Sequence, residues 1–517
     1  MKKLVSIVLA LAMVALCIGA AVADPTYPTG TGSITVEHAA NGETYYAIKA
    51  LDATVSEDGI AYYGEIPEQL AGVLEVKDIV DGEKHYQAIG KKDGVSTADY
   101  DAAMRAFATA KQSSWGTGVV AANDKAVFNN LPWGFYVFVS TLTSGTQTTL
   151  TNKVMAGSTI SATKPYTANG TVYEKNETIP QPEKTVGDTS YSIGETIPYT
   201  VTFPGANFMG EGEESKIVYQ YEVKDTLPEF LSGAALQHVY IGTGDSRVDV
   251  VTDDMKTAFS SEKKFYIPWA DGSHGNYTSK YANGTTVTIE YTAVLTSTVN
   301  VNAANTNTVT ITPYVDTDNP GPWEENWSDD AEVTTYAAAL KKTDGSKALA
   351  GAKFAFKGLT VVETAEGIYT VQSYDSSSEE LGTVMTVGTD GKLYIVGLKK
   401  SVALTGKETE APAGYNLLTS DVTLQPQVLE HEVYKASGTR KYDAKGNLIE
   451  SSATATTTKD VEKNLSDLDP AAVEVINQAG TELPHTGGIG TTIFYILGGL
   501  LVVGAAVILI ARRKAEE

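Results

Sequence analysis

Short runs of alternating apolar and polar residues, each closed by a turn signal, recur along nearly the whole chain. No other feature constrains the fold as much. "SITVEHA" (33–39), "ETYYAIKALDATV" (43–55) and "GIAYYGEI" (59–66) follow one another with Asn-Gly and Asp-Gly between them. Period two places alternate side chains on opposite faces of a strand, and Asn-Gly or Asp-Gly supplies the positive φ of a tight hairpin. Later runs repeat the rhythm: "PWGFYVFVSTL" (132–142), "ETIPYTVTFP" (195–204), "IVYQYEVKDTL" (217–227), "TTVTIEYTAVL" (285–295) and "TNTVTITPYV" (306–315). One helical patch, Thr97 to Lys111, interrupts them. Many short strands with frequent turns predict an all-β chain of tandem immunoglobulin-like β-sandwich domains.

Length and punctuation set the number of sandwiches. At roughly 100–200 residues per domain, 517 residues hold three domains and end segments. The boundaries expected are 24–177 for an N-terminal domain, 178–334 for a middle domain and 335–480 for a C-terminal domain. The two prolines of "EKNETIPQPEKTV" (174–186) mark the first junction. The acidic stretch "DTDNPGPWEENWSDD" (316–330) reads as a solvated loop, since its oxygens do not follow the EF-hand order.

Both ends are targeting segments. Lys2-Lys3, the apolar run Leu4 to Ala20 and the small triplet Ala21-Val22-Ala23 form a signal peptide, 1–23, with cleavage expected after Ala23. Near the other end, Thr491 to Ile510 is free of charge for 20 residues, enough for one bilayer span at ~1.5 Å per residue. Arg512-Arg513-Lys514 follow and hold that flank inside, which leaves the body of the chain outside. The single cysteine, Cys17, sits in the signal peptide behind Leu16, a poor lipidation site. An exported domain chain without disulfides calls for another kind of cross-link. A net charge of −24 argues against a nucleic-acid partner. HExxH, Walker A and GxSxG patterns are absent, the six histidines are scattered, and no cofactor or metal cluster is expected; the chain does not read as an enzyme.

Just before the apolar span stands Leu483-Pro484-His485-Thr486-Gly487. This Leu-Pro-x-Thr-Gly segment, with its apolar run and basic tail (481–517), resembles the cell-wall sorting signal of Gram-positive surface proteins. The resemblance implies that a sortase cuts between Thr486 and Gly487 and passes the Thr486 acyl group to an amine. Pro484 pre-bends the peptide, and Gly487 leaves room beside the scissile bond. "TVYEKN" (171–176) resembles the pilin motif of sortase-built fimbrial shafts, usually written Tyr-Pro-Lys-Asn, with Glu174 in place of proline. It implies Lys175 as the amine that links one copy to the next.

"KKTDGSKALAGAKF" (341–354) with "KETEAPAGY" (407–415) is similar to a Cna-B-type module, in which a buried lysine and an asparagine form an intramolecular isopeptide bond assisted by a carboxylic acid. The motif match implies Lys342, Asn477 in "VEVIN" and Glu408 as the assisting acid. "PEKTVGDTSYSIGETIPYTVTF" and "YEVKDTLPEFLS" resemble the middle domain of backbone pilins and imply Lys184 and Asp225, with Asn305 or Asn307 as the amide and Asn307 the choice. Burial disfavours charge, so a buried lysine sheds its proton and a buried carboxylic acid keeps its own. Lys49 sits in a strand without a nameable acid or amide.

The reading as a whole is a backbone pilin. Its partners would be other copies of itself, class C and housekeeping sortases, peptidoglycan and a host surface ligand. Its place would be the cell wall, with the precursor held in the membrane. The alternative is an adhesin or minor subunit attached singly to peptidoglycan.

Overall fold

The computed structural model describes residues 29–55, 59–81, 84–144, 147–150, 153–161, 164–301, 303–427, 440–443, 448–451, 465–480 and 489–515. The signal segment and Leu483 to Gly487, including Thr486, lie outside the described residues. Strands dominate, in three successive pairs of sheets and two separate two-stranded sheets among the described residues.

In the first pair, the strand Thr31–Glu37 runs parallel to Asn169–Tyr173 on one side and antiparallel to Lys125–Pro132 on the other. The facing sheet orders Met155–Ser158, Gly134–Ser144, Thr44–Val55 and Ile60–Tyr63. Ile34 and Val36 alternate inward against Phe128, Phe138 and Met155. The expected helix is present as α1 (Thr97–Ala110). Ser96 Oγ accepts the Asp99 N–H at 3.0 Å, which caps the first turn. Met104, Phe107 and Ala108 then fall on one buried face.

The second pair places Glu183–Val186, Thr196–Gly205, Thr285–Leu295 and Leu231–Ile241 in one sheet. Lys216–Asp225, Asn305–Val315 and Glu325–Val333 lie in the other. Alternation is strict along Thr285–Leu295, where Val287, Ile289, Tyr291, Ala293 and Leu295 are all buried. A second helix, α2 (Asp253–Glu262), has no counterpart in the sequence reading. Met255 and Phe259 are its buried residues, and Thr252 Oγ1 caps it through the Met255 N–H. The stretch 316–330 is also corrected. Its second half is not a loop but the start of the strand Glu325–Val333, in register with Asn305–Ile311. Trp327 and Val333 carry its buried face between polar neighbours.

In the third pair, the strand Tyr336–Thr343 lies between Lys392–Leu398, antiparallel, and Val473–Ile476, parallel. The opposite sheet holds Lys353–Phe356 and Leu404–Glu410. One pairing crosses the boundary expected at 334: Arg440–Asp443 runs antiparallel to Glu325–Ser328 of the middle block. Backbone bonds join neighbouring blocks, Asn283 N–H to Asn41 O at 2.8 Å and Ile193 N–H to Gly397 O at 2.9 Å. At the C-terminus lies α3 (Ile489–Ala515); its apolar side chains from Tyr495 to Ile510 are exposed, and Tyr495–Lys514 is long and apolar enough to cross a membrane.

Candidate functional site

Strand parity decides which of two adjacent lysines turns inward. In Tyr336–Thr343, Lys341 is exposed and Lys342 is fully buried. The parallel partner strand sets Lys342 opposite Val475, and Lys342 Nζ donates to Val475 O at 2.9 Å. Glu408 reaches in from the facing sheet and is also buried, its Oε1 4.0 Å from Lys342 Nζ. Its Oε2 accepts the Leu418 N–H at 2.9 Å. Asn477 follows the last strand, its N–H bonded to Thr343 O at 3.0 Å. Its Nδ2 donates to both Glu408 oxygens, at 3.0 and 2.9 Å, and to Asn416 O at 2.9 Å. Its Oδ1 is buried without a partner. Burial pushes the Lys342 pKa down, against an opposing pull from the Glu408 charge.

The middle block repeats this arrangement on different strands. Lys184 points inward from Glu183–Val186, and its Nζ donates to Asp225 Oδ2 at 2.9 Å with both side chains buried. Asn307 Nδ2 lies 3.3 Å from the same Asp225 oxygen and 3.1 Å from Tyr291 Oη. Tyr291 in turn donates its hydroxyl to Asp225. Here too the asparagine oxygen, Asn307 Oδ1, is buried without a partner. The rings of Tyr199 and Tyr291 stack at 5.1 Å between centroids and flank the amine, which lies 5.3 and 5.8 Å from them. Burial again lowers the lysine pKa, opposed by Asp225. Asn305 is elsewhere engaged: its Nδ2 donates to Asn300 O and Ala303 O, and its Oδ1 accepts the Asn300 N–H.

Sequence reasoning missed Tyr291, although the alternation of Thr285–Leu295 turns it inward with Ile289 and Ala293. Among the described residues, Lys184 and Lys342 are the lysines that are buried. Lys49 instead pairs with Asp52 at the surface.

Lys175 occupies a different setting. It follows the strand Asn169–Tyr173 and stays accessible, its Nζ 3.3 Å from Asp101 Oδ1 on α1. Asn176 beside it is tied in both directions to the Lys153 backbone, through Lys153 N–H to Oδ1 at 2.8 Å and Nδ2 to Lys153 O at 3.0 Å. Among the described residues, no group of three or more His, Cys, Asp or Glu side chains is placed to hold a metal ion.

The profile described as LPXTG cell wall anchor motif matches residues 476–517. Comparison with curated proteins gives no match. Among solved structures, the chain is similar to the group B streptococcus pilus 2b backbone protein, at 28% identity over 58% of this chain and 99% of that one, with a TM-score of 0.36. It is similar to the full-length major pilin SpaD from Corynebacterium diphtheriae, at 18% identity over 87% and 98%, TM-score 0.35. It is similar also to the full-length major pilin RrgB from Streptococcus pneumoniae, at 13% identity over 87% and 100%, TM-score 0.38. The chain therefore ends in a cell-wall anchor of the LPXTG type, with its apolar helix behind the motif, and is a secreted, wall-anchored surface protein.

Proposed function

We propose that this wall-anchored chain is the shaft subunit of a covalently polymerised pilus. A sortase cuts between Thr486 and Gly487, and the Thr486 acyl group passes to Lys175 of the next copy. Lys342–Asn477 and Lys184–Asn307 isopeptide bonds tie the third and middle sandwiches internally. The observation that carries the reading is the repeated arrangement of a buried lysine, a buried carboxyl and a carboxamide whose oxygen has no partner. A buried lysine is costly, as is a buried carbonyl left bare at about 1–3 kcal/mol. Two sites combining both costs suit a fold that uses them for chemistry.

Each site supports one balanced condensation. The neutral amine of Lys342 attacks Cγ of Asn477. A C–N bond forms and the Cγ–Nδ2 bond breaks. The proton leaving Nζ travels through Glu408 to the departing nitrogen, which is released as ammonia. Half a turn of the carboxamide exchanges Oδ1 and Nδ2, so that a protonated Glu408 can donate to the carbonyl oxygen and polarise it. Lys184, Asp225 and Asn307 follow the same course. In the intermolecular step, Lys175 Nζ attacks the acyl carbon of Thr486 held on the sortase cysteine. The new amide forms as the thiolate leaves.

Co-expression of the full chain with a pilin-type sortase tests the assignment. The expected result is a ladder of multimers that survives boiling in detergent. Lys175→Ala should leave only wall-linked monomer. A wild-type chain that gives monomer alone, with sortase active, would make it a singly attached adhesin or basal subunit.

Intact-mass measurement separates the two asparagines of the middle block. Asn307→Ala should fall short of its own sequence mass by one ammonia fewer than the wild type does. Asn305→Ala should not, because its carboxamide is spent on the 300–305 turn. The reverse outcome would end the middle-block assignment.

A further inference from the structure

We propose that the buried carboxylate of Glu174 is a positioning residue for the linking lysine, doing by hydrogen bonds what a proline before that lysine would do by covalent constraint. The inference rests on the reading of Lys175 as the acceptor amine. Glu174 is only 5% exposed, although it directly precedes an accessible lysine. Its Oε1 accepts three bonds, all at 2.8 Å: the Lys175 N–H, the Asn176 N–H and Asn176 Nδ2. Its Oε2 accepts the Tyr45 hydroxyl, and Tyr45 is itself buried and fixed by the Ala40 N–H at 2.8 Å. One carboxylate thus gathers the two backbone amides that bracket the lysine and locks them to the sheet.

The consequence for Lys175 is directional. With its own N–H and the next turned inward to Glu174, its side chain is directed outward. It then lies along α1 against Asp101, an exposed contact weak enough to release. Asn176 pins the far side of the turn to Lys153. Charge favours the arrangement. Glu43 is buried as well, and burial followed by the Glu174 charge pushes its carboxyl up to about 7. Below that pH Glu43 takes up a proton and no longer repels the carboxylate on which the donors converge.

The backbone also explains why proline does not serve here. The Glu174 N–H donates to Glu37 O at 3.1 Å, the next bond along from the parallel pairing of Glu37 with Tyr173. A proline at 174 has no N–H to give, so it would cut this bond as well as remove the carboxylate.

The test compares Glu174→Gln, which keeps an acceptor, with Glu174→Met, which keeps the size and removes it. Each full-length variant is co-expressed with the sortase, and multimer is scored as a fraction of wall-linked chain. Glu174→Gln should stay within about twofold of the wild type. Glu174→Met and Glu174→Pro should fall about tenfold or more, since misplacing a reacting group by ~1 Å can cost about a hundredfold. Wall-linked monomer should take the place of the lost multimer, and both ammonia losses should be unchanged. Equal ladders from the Gln and Met variants would overturn the proposal.

Amide hydrogen exchange of the unsubstituted chain supplies a test that needs no variant. The Lys175 and Asn176 amides should be protected, and free exchange at both would overturn the cap. Failure of the underlying reading looks different: Lys175→Ala would then polymerise like the wild type.

Discussion

Glu408→Ala should yield a chain that falls short of its own sequence mass by one ammonia where the wild type falls short by two, with the Lys342–Asn477 bond missing and the Lys184–Asn307 bond intact. The expected loss is complete because Glu408 alone connects the two reactants. Its carboxyl stands against Lys342 Nζ and receives two bonds from Asn477 Nδ2. Without it, nothing relays the proton to the leaving nitrogen. The missing bond spans a long loop, from the first strand of the third block to just past the last. By analogy with a disulfide closing more than 100 residues, its absence costs about 4–5 kcal/mol. That corresponds to a fall in the melting temperature of that block on the order of 10 °C. Glu408→Gln separates chemistry from packing. It keeps the size and the acceptor for the Leu418 N–H, yet cannot carry a proton, so it too should retain the ammonia. Digestion and peptide mapping would locate the change. A Glu408→Ala chain that still loses two ammonia molecules would remove Glu408 from the mechanism.

Lys342 was legible because strand parity and a motif agree. In "YAAALKK" the apolar residues Ala338 and Leu340 share its face, and Lys341 takes the solvent side. Asp225 was legible for the same reason, lying in phase with Tyr221 and Val223. Periodicity says nothing about partners far away in sequence; the resemblance named those of Lys342 and Lys184, and elsewhere the reading stopped short. The parallel pairing that lays Lys342 beside Val475 joins residues 133 positions apart. The Tyr45 hydroxyl that anchors Glu174 comes from 129 positions upstream, so Glu174 read as a departure from a motif and not as a cap. Helix α2 escaped notice because two buried residues and a threonine cap are a weak local signal. The strand Glu325–Val333 was hidden by its acids. One of them, Asp329, accepts the Lys184 N–H at 2.6 Å and so helps to hold the strand that carries Lys184.

Asp225→Ala should be the most damaging single change in the middle block, beyond what loss of the cross-link explains. Asp225 receives Lys184 Nζ, the Tyr291 hydroxyl, Asn307 Nδ2 and the Leu227 N–H. Its removal prevents the condensation and also leaves the buried Lys184 amine and Tyr291 hydroxyl without their acceptor, at about 1–3 kcal/mol each. Asn307→Ala loses the bond but keeps Asp225 with both donors, so the difference in melting temperature between the two variants isolates the cost of the unpaired donors. The pH dependence gives a second signature. Burial holds the Lys184 pKa below its ordinary value, so the unfolded chain binds this proton more tightly than the folded one. Stability of the unlinked variant should therefore rise as pH increases toward the ordinary lysine range, where the unfolded state loses its advantage. With Lys184 joined to Asn307 as proposed, the wild type has an amide nitrogen there and no proton of this kind to bind. Its melting temperature should lack that rise, and a parallel rise in both proteins would mean that the wild-type lysine is still a free amine.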